Sequence, residues 1–189
     1  MRVVAGSVGG RRLVSVPGRG TRPTADRVRE ALFSALGERV IDATVLDLYA
    51  GSGALGIEAL SRGARSCVFV ERAAPAAQTV RRNLQALDLT ARALLVHADA
   101  TAFCRSPRGG PFDLIFCDPP YDLARSVLLE RLGELRAQGA LAPDATAMLE
   151  RGRRDEELDL EWPAWLALVS QRSYGETVLV RLVFAEGYS

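Results

Sequence analysis

Short apolar runs alternate along most of this chain with segments whose apolar positions recur at helical spacing. The runs at 45–48, 67–71, 93–96, 112–117 and 145–150 are four to six residues long, the length and composition of strands covered on both faces. Between them the pattern predicts helices over about 55–62, 74–87 and 122–138. Strands alternating with helices imply a parallel, doubly wound α/β sheet. Two further runs, at 166–170 and 177–183, flank a Tyr174-Gly175 turn. Too few residues separate them for a helical crossover, so they are expected to pair antiparallel at one edge of a seven-stranded sheet.

The first 23 residues follow a different pattern. Two runs rich in β-branched residues, within 2–16, flank Gly9-Gly10, which predicts a β-hairpin. A loop from Pro17 to Pro23 follows. Thr24 is placed to cap a helix carrying Val28, Leu32, Phe33 and Leu36 on one face. The segment 151–165 is charged and then aromatic, and reads as a short helix and a surface loop. The expected organisation is a hairpin extension over 1–23 and one main domain over 24–189.

Charge changes the picture only through its distribution. The chain holds 24 basic and 23 acidic side chains, for a net +1. Five arginines and no acid fall within residues 1–25, so the rest nets −4. A basic end on a mildly acidic body suits an arm that meets phosphate, with Arg2, Arg11, Arg12 and Arg19 the candidate contacts. No apolar stretch is long enough to span a bilayer and no signal-peptide core begins the chain, so a cytoplasmic protein without a membrane partner is expected. Cys67, Cys104 and Cys117 fit no zinc spacing, and His97 is the single histidine, so no metal is expected. No dimer surface is legible; a monomer is expected.

The turn after the first strand reads Asp47-Leu48-Tyr49-Ala50-Gly51-Ser52-Gly53-Ala54-Leu55-Gly56. Spaced glycines let the backbone approach a ligand at the open end of a sheet, and they suit either a dinucleotide or S-adenosylmethionine. Acids separate the two. Glu71 ends the second strand, where a carboxylate can accept both ribose hydroxyls. Asp99, followed by Ala100, lies beyond the third strand, where it can accept an adenine amine. Asp47 sits at the mouth of the first turn, where it would repel a pyrophosphate and favour a sulfonium. The set Asp47, Tyr49, Gly51, Ser52, Gly53, Glu71, Asp99 and Ala100 therefore points to S-adenosylmethionine.

Asp118-Pro119-Pro120-Tyr121, after the fourth strand, carries the chemistry. An exocyclic amine on a nucleobase is a poor nucleophile because its lone pair is delocalised into the ring. The Asp118 carboxylate and the Pro119 carbonyl can each accept one N–H and draw that lone pair toward a methyl donor. Pro119 and Pro120 stiffen the loop, and Tyr121 can stack on the base. These residues alone leave adenine or guanine, and DNA or RNA, open.

Residues 3–13, 21–33, 46–64, the Asp-Pro-Pro-Tyr loop and Tyr174-Gly175-Glu176-Thr177 together resemble the RsmD family of bacterial ribosomal RNA guanine-N2 methyltransferases, over nearly the whole chain. Glu176 stands where Asp is expected. The resemblance implies a class I S-adenosylmethionine methyltransferase (Rossmann-like) fold. It also implies methylation of guanine 966 of 16S rRNA, with the small ribosomal subunit or its assembly intermediate as partner. Arg22 and Thr24 would help hold the methionine end of the cofactor, and the hairpin would contact RNA. Two other readings compete: a DNA adenine-N6 methyltransferase, for which the chain has little sequence to read a target, and a non-catalytic RNA-binding assembly factor, against which Asp118 and Tyr121 argue.

Overall fold

In the computed structural model, which describes residues 1–16, 23–119, 123–152 and 161–185, seven strands form one sheet. They are β1 (Thr44–Asp47), β2 (Ser66–Glu71), β3 (Ala93–His97), β4 (Phe112–Cys117), β5 (Leu141–Gly152), β6 (Leu166–Tyr174) and β7 (Thr177–Phe184). The helices are α1 (Pro23–Leu36), α2 (Ala54–Ser61), α3 (Ala74–Ala86), α4 (Ala100–Arg105) and α5 (Arg125–Ala137). The strand order is β3-β2-β1-β4-β5-β7-β6. β1 to β5 are mutually parallel. β7 runs antiparallel between β5 and β6, so the last two strands pair antiparallel at one edge as expected, with β7 the inner of the two.

Continuous apolar runs form these strands because both faces are covered. β1 and β4 bury Val45, Leu46, Leu114, Ile115 and Phe116 almost completely. One layer packs α1, α2 and α3 on one face through Phe33, Ile57, Leu60 and Val80. The other packs α4 and α5 on the opposite face through Phe103, Leu128 and Leu132. Burying side chains of this size contributes roughly 1.5–3 kcal/mol each. The chain winds outward from β1 to β3, then returns to place β4 on the other side of β1. That reversal opens a crevice at the carboxyl ends of β1 and β4, the position where sheets of this type bind ligands.

Several local expectations need correction. α1 starts at Pro23, a residue pre-set for the first helical turn, so Thr24 lies inside the helix and not before it. β5 runs to Gly152 because its pairing with β7 continues to Gly152↔Thr177. The short helix expected within 151–165 falls mostly on 153–160, outside the described residues. α4 went unpredicted: six residues leave no room for a helical period.

The N-terminal hairpin contains one bridge, Arg2↔Arg12, where two longer runs were expected to pair. It is docked on α2 and α3. Val4 N–H and Ala5 N–H donate to Glu58 of α2 at 2.7 and 3.0 Å. Ser7 N–H donates to the Ser61 carbonyl at 2.7 Å. Glycine is required at position 6: φ is +85°, and a Cβ there would sit 1.9 Å from the Ser61 carbonyl oxygen. Val3 and Leu13 join the core beneath.

Candidate active site

The first turn leaves β1 at Asp47 and enters α2 through Gly53, whose φ of +82° makes it a left-handed residue ahead of the helix. Gly51 also has positive φ. Gly53 N–H closes the turn on the Ala50 carbonyl at 2.7 Å. Gly56 has a different role from the one its spacing suggested. A Cβ there would lie 2.3 Å from Phe69 and 2.6 Å from the Cys67 sulfur, so it allows α2 to press onto β2.

Asp47 was expected at the mouth of this turn. Its carboxyl is instead buried beneath it, 1% exposed, and accepts the Gly56 N–H at 3.0 Å. Burial pushes its pKa up to about 7; the Gly56 N–H opposes the rise, and the charges of Asp118 and Glu71 add to it. Asp47 ends β1 between Phe69 of β2 and Phe116 of β4, and Glu71 bonds the turn that follows Asp47, so Asp47, Glu71 and Asp118 lie at the carboxyl ends of three adjacent strands.

Glu71 ends β2, half-buried. One carboxylate oxygen accepts Gly51 N–H at 2.9 Å and the other accepts Ala73 N–H at 2.7 Å. Each oxygen retains a lone pair for a further donor. Asp99 is exposed and caps α4 by accepting Thr101 N–H at 2.8 Å. Its pKa is lowered, chiefly by hydrogen bonds from Thr101, so it is held as a carboxylate. Ala100 is buried at the first position of α4. Tyr49 is half-buried, and desolvation pushes its hydroxyl pKa upward.

Asp118 follows β4 and is exposed, while Pro119 is buried. Pro120 and Tyr121 lie outside the described residues, as do Arg19 and Arg22; Thr24 is described only in its backbone. Arg2, Arg11 and Arg12 are exposed on the hairpin, and Arg11 donates to the Ala86 carbonyl at the end of α3 at 2.9 Å. The three cysteines are free and buried. His97 has its Nε2 3.0 Å from the Arg72 carbonyl. Among the described residues no cluster of His, Cys, Asp and Glu could hold a metal ion, and no helix is long and apolar enough to cross a membrane. A cavity of about 350 Å³ lies at the opposite end of the sheet, by Arg39, Arg65 and Asp113, and none of the expected residues lines it.

Sequence reasoning missed two positioning residues. Glu58 is fully buried and holds the hairpin as well as Arg62, 2.7 Å away. Its signal was an acid inside an otherwise apolar helix. Asn83, 1% exposed, bonds both the hairpin and the glycine turn. Its only signal was a polar residue on the apolar face of α3.

The strand order, the glycine turn at the reversal point and the acids at successive strand ends define a class I methyltransferase fold. The family described as conserved hypothetical protein 95 matches residues 1–183. YlbH of Bacillus subtilis is 40% identical over 181 residues, covering 94% of this chain and 95% of YlbH. Ribosomal RNA small subunit methyltransferase D of Escherichia coli is 39% identical over 150 residues, 79% of this chain and 74% of that protein. The solved structure of Escherichia coli yhhF superposes with a TM-score of 0.83 at 35% identity, covering 97% of both chains. The chain belongs to this family, the RsmD family.

Proposed function

We propose that this protein transfers a methyl group from S-adenosylmethionine to the exocyclic N2 amine of a guanine in 16S rRNA, guanine 966, within the small ribosomal subunit or its assembly intermediate. The observation that carries the reading is that Asp47, Glu71 and Asp118 stand at the carboxyl ends of the adjacent strands β1, β2 and β4, where the sheet reverses its winding. Family membership supports it, as does the name of the Escherichia coli relative, a ribosomal RNA small subunit methyltransferase.

The residues suit this cofactor. The Glu71 carboxylate beside the turn disfavours a pyrophosphate and favours a sulfonium. Glu71, with one lone pair left on each oxygen, would accept the ribose hydroxyls; Asp99, beside Ala100, would accept the adenine amine. Gly51, Ser52 and Gly53 would pass their backbone close to the ligand, Tyr49 would line the turn, and Asp47 would support the turn from beneath through Gly56 N–H. Arg22 and Thr24 would hold the methionine end. When bound, the cofactor supplies an electrophilic methyl on a positively charged sulfur.

Asp118 and the Pro119 carbonyl would each accept one N–H of the target amine and aim its lone pair, with Tyr121 stacked on the base and Pro120 holding the loop rigid. The target nitrogen would take the methyl that the cofactor supplies, with the C–S electron pair staying on sulfur. The extra proton on nitrogen leaves to Asp118 or to water. A base within structured RNA must be splayed out to reach this loop. The exposed Arg2, Arg11 and Arg12, with Arg19, would meet phosphates.

The test offers labelled S-adenosylmethionine to naked 16S rRNA, small subunits and duplex DNA, followed by nucleoside analysis. N2-methylguanosine from the ribosomal substrate is expected. N6-methyladenine alone, or no transfer with cofactor bound, would overturn the reading.

A further inference from the structure

The side chain of Asn83 behaves as a short piece of backbone. Its Oδ1 accepts Val14 N–H at 2.8 Å, and its Nδ2 donates to the Val14 carbonyl at 3.0 Å, so it pairs with the second half of the hairpin as a strand would. The same Nδ2 donates to the Ser52 carbonyl at 2.9 Å, at the centre of the glycine turn. The amide orientation is fixed by chemistry, because one partner is a donor and two are acceptors. Asn83 is 1% exposed, so losing any of these bonds leaves a polar group without water to replace it. Hairpin and turn, 38 residues apart in sequence, both bond this side chain.

We propose that Asn83 is a positioning residue that couples docking of the N-terminal hairpin to the conformation of the cofactor turn. A ligand that orders the turn holds the Ser52 carbonyl against Nδ2, and this fixes the amide that clasps Val14. Coupling of this kind is reciprocal: a nucleic acid that orders the hairpin strengthens cofactor binding by the factor with which the cofactor strengthens hairpin docking. On this proposal the element that both ligands bias is the Val14 end of the hairpin, clasped or unclasped by Asn83. This inference rests on the S-adenosylmethionine reading of the turn and does not depend on which nucleic acid is methylated.

The experiment uses the full chain, S-adenosylhomocysteine as probe and no RNA. Calorimetry establishes saturation, and amide hydrogen exchange is then followed at Val14. In the wild-type protein, saturation is expected to slow exchange there by about 5-fold or more. Asn83→Asp keeps an acceptor for Val14 N–H but loses both donations; at saturation it should show no slowing. Val14 is half-exposed, so Val14→Pro removes the hairpin's N–H with little disturbance to the core, and it should weaken S-adenosylhomocysteine by about 5-fold. Absence of slowing in the wild type, equal slowing in Asn83→Asp, or unchanged affinity in Val14→Pro would each overturn the proposal. Failure of the wild type to bind S-adenosylhomocysteine at all would instead remove the cofactor reading on which it stands.

Discussion

The Glu71 carboxylate accepts the N–H of Gly51 at 2.9 Å, so the end of β2 pins the glycine turn that leaves β1. The group read from sequence as a ribose acceptor also shapes the loop beneath the ligand. Glu71→Ala removes both contributions and is expected to weaken S-adenosylhomocysteine binding at least about 10-fold, from loss of charged hydrogen bonds worth roughly 1.5–3 kcal/mol. Glu71→Gln should fall between that variant and the wild type. Calorimetric titration of the three proteins checks the order.

Asp118 is exposed at the end of β4, while the glycine turn after β1 is bonded to Glu71 and Asp47. Asp118→Ala should therefore slow transfer by about 10²–10⁴ and leave cofactor affinity within about 2-fold. Single-turnover kinetics beside a binding titration separates the two. A matching loss of affinity would place Asp118 in the cofactor site.

Asp47 gives a pH dependence with a definite sign. Its folded pKa, about 7, lies above the ordinary aspartate value of 3.8. Between those values the unfolded chain has lost the proton that the folded protein keeps, so stability falls as pH rises from about 4 to 7 and is flat above. Asp47→Asn retains an acceptor for Gly56 N–H and carries no charge. Its melting temperature relative to wild type is expected to rise across that window and level off above pH 7. A constant difference would show that Asp47 ionises normally.

Glu58 has a heavier structural load. It accepts two hairpin N–H groups and pairs with Arg62 at 2.7 Å and Arg29 at 3.5 Å, all without solvent exposure of its own side chain. Removing one member of such a buried set leaves charges unmatched, and Glu58→Ala is expected to cost about 3–5 kcal/mol. At about 2–4 °C per kcal/mol for a chain of this size, thermal unfolding should show a drop of roughly 10 °C. Proteolysis within residues 1–16 should accelerate in parallel.

The strands were legible because a strand covered on both faces has to be apolar throughout, as Phe112–Cys117 is. The glycine turn was legible because its geometry demands residue types that few other positions need. α4 was not: a helix of six residues shows no period, and the Asp99 that caps it looked from sequence like a ligand acceptor alone. The candidate site was readable as a set of strand-end acids, but their individual states were not. Asp47 and Asp99 are the same residue type, yet burial raises the pKa of one and hydrogen bonds from Thr101 lower that of the other.

By itself, the sequence determined the alternation of elements, the position of the turn and the four residues that begin with Asp118, since these depend on local periodicity and on side-chain chemistry. Only the tertiary structure decided that β7 lies between β5 and β6, that Asp47 is sealed beneath its turn, and that the basic hairpin is clasped by Glu58 and Asn83. Each of these depends on hydrogen bonds or packing between segments far apart in the chain, where one residue's partner is set by the path of the whole backbone.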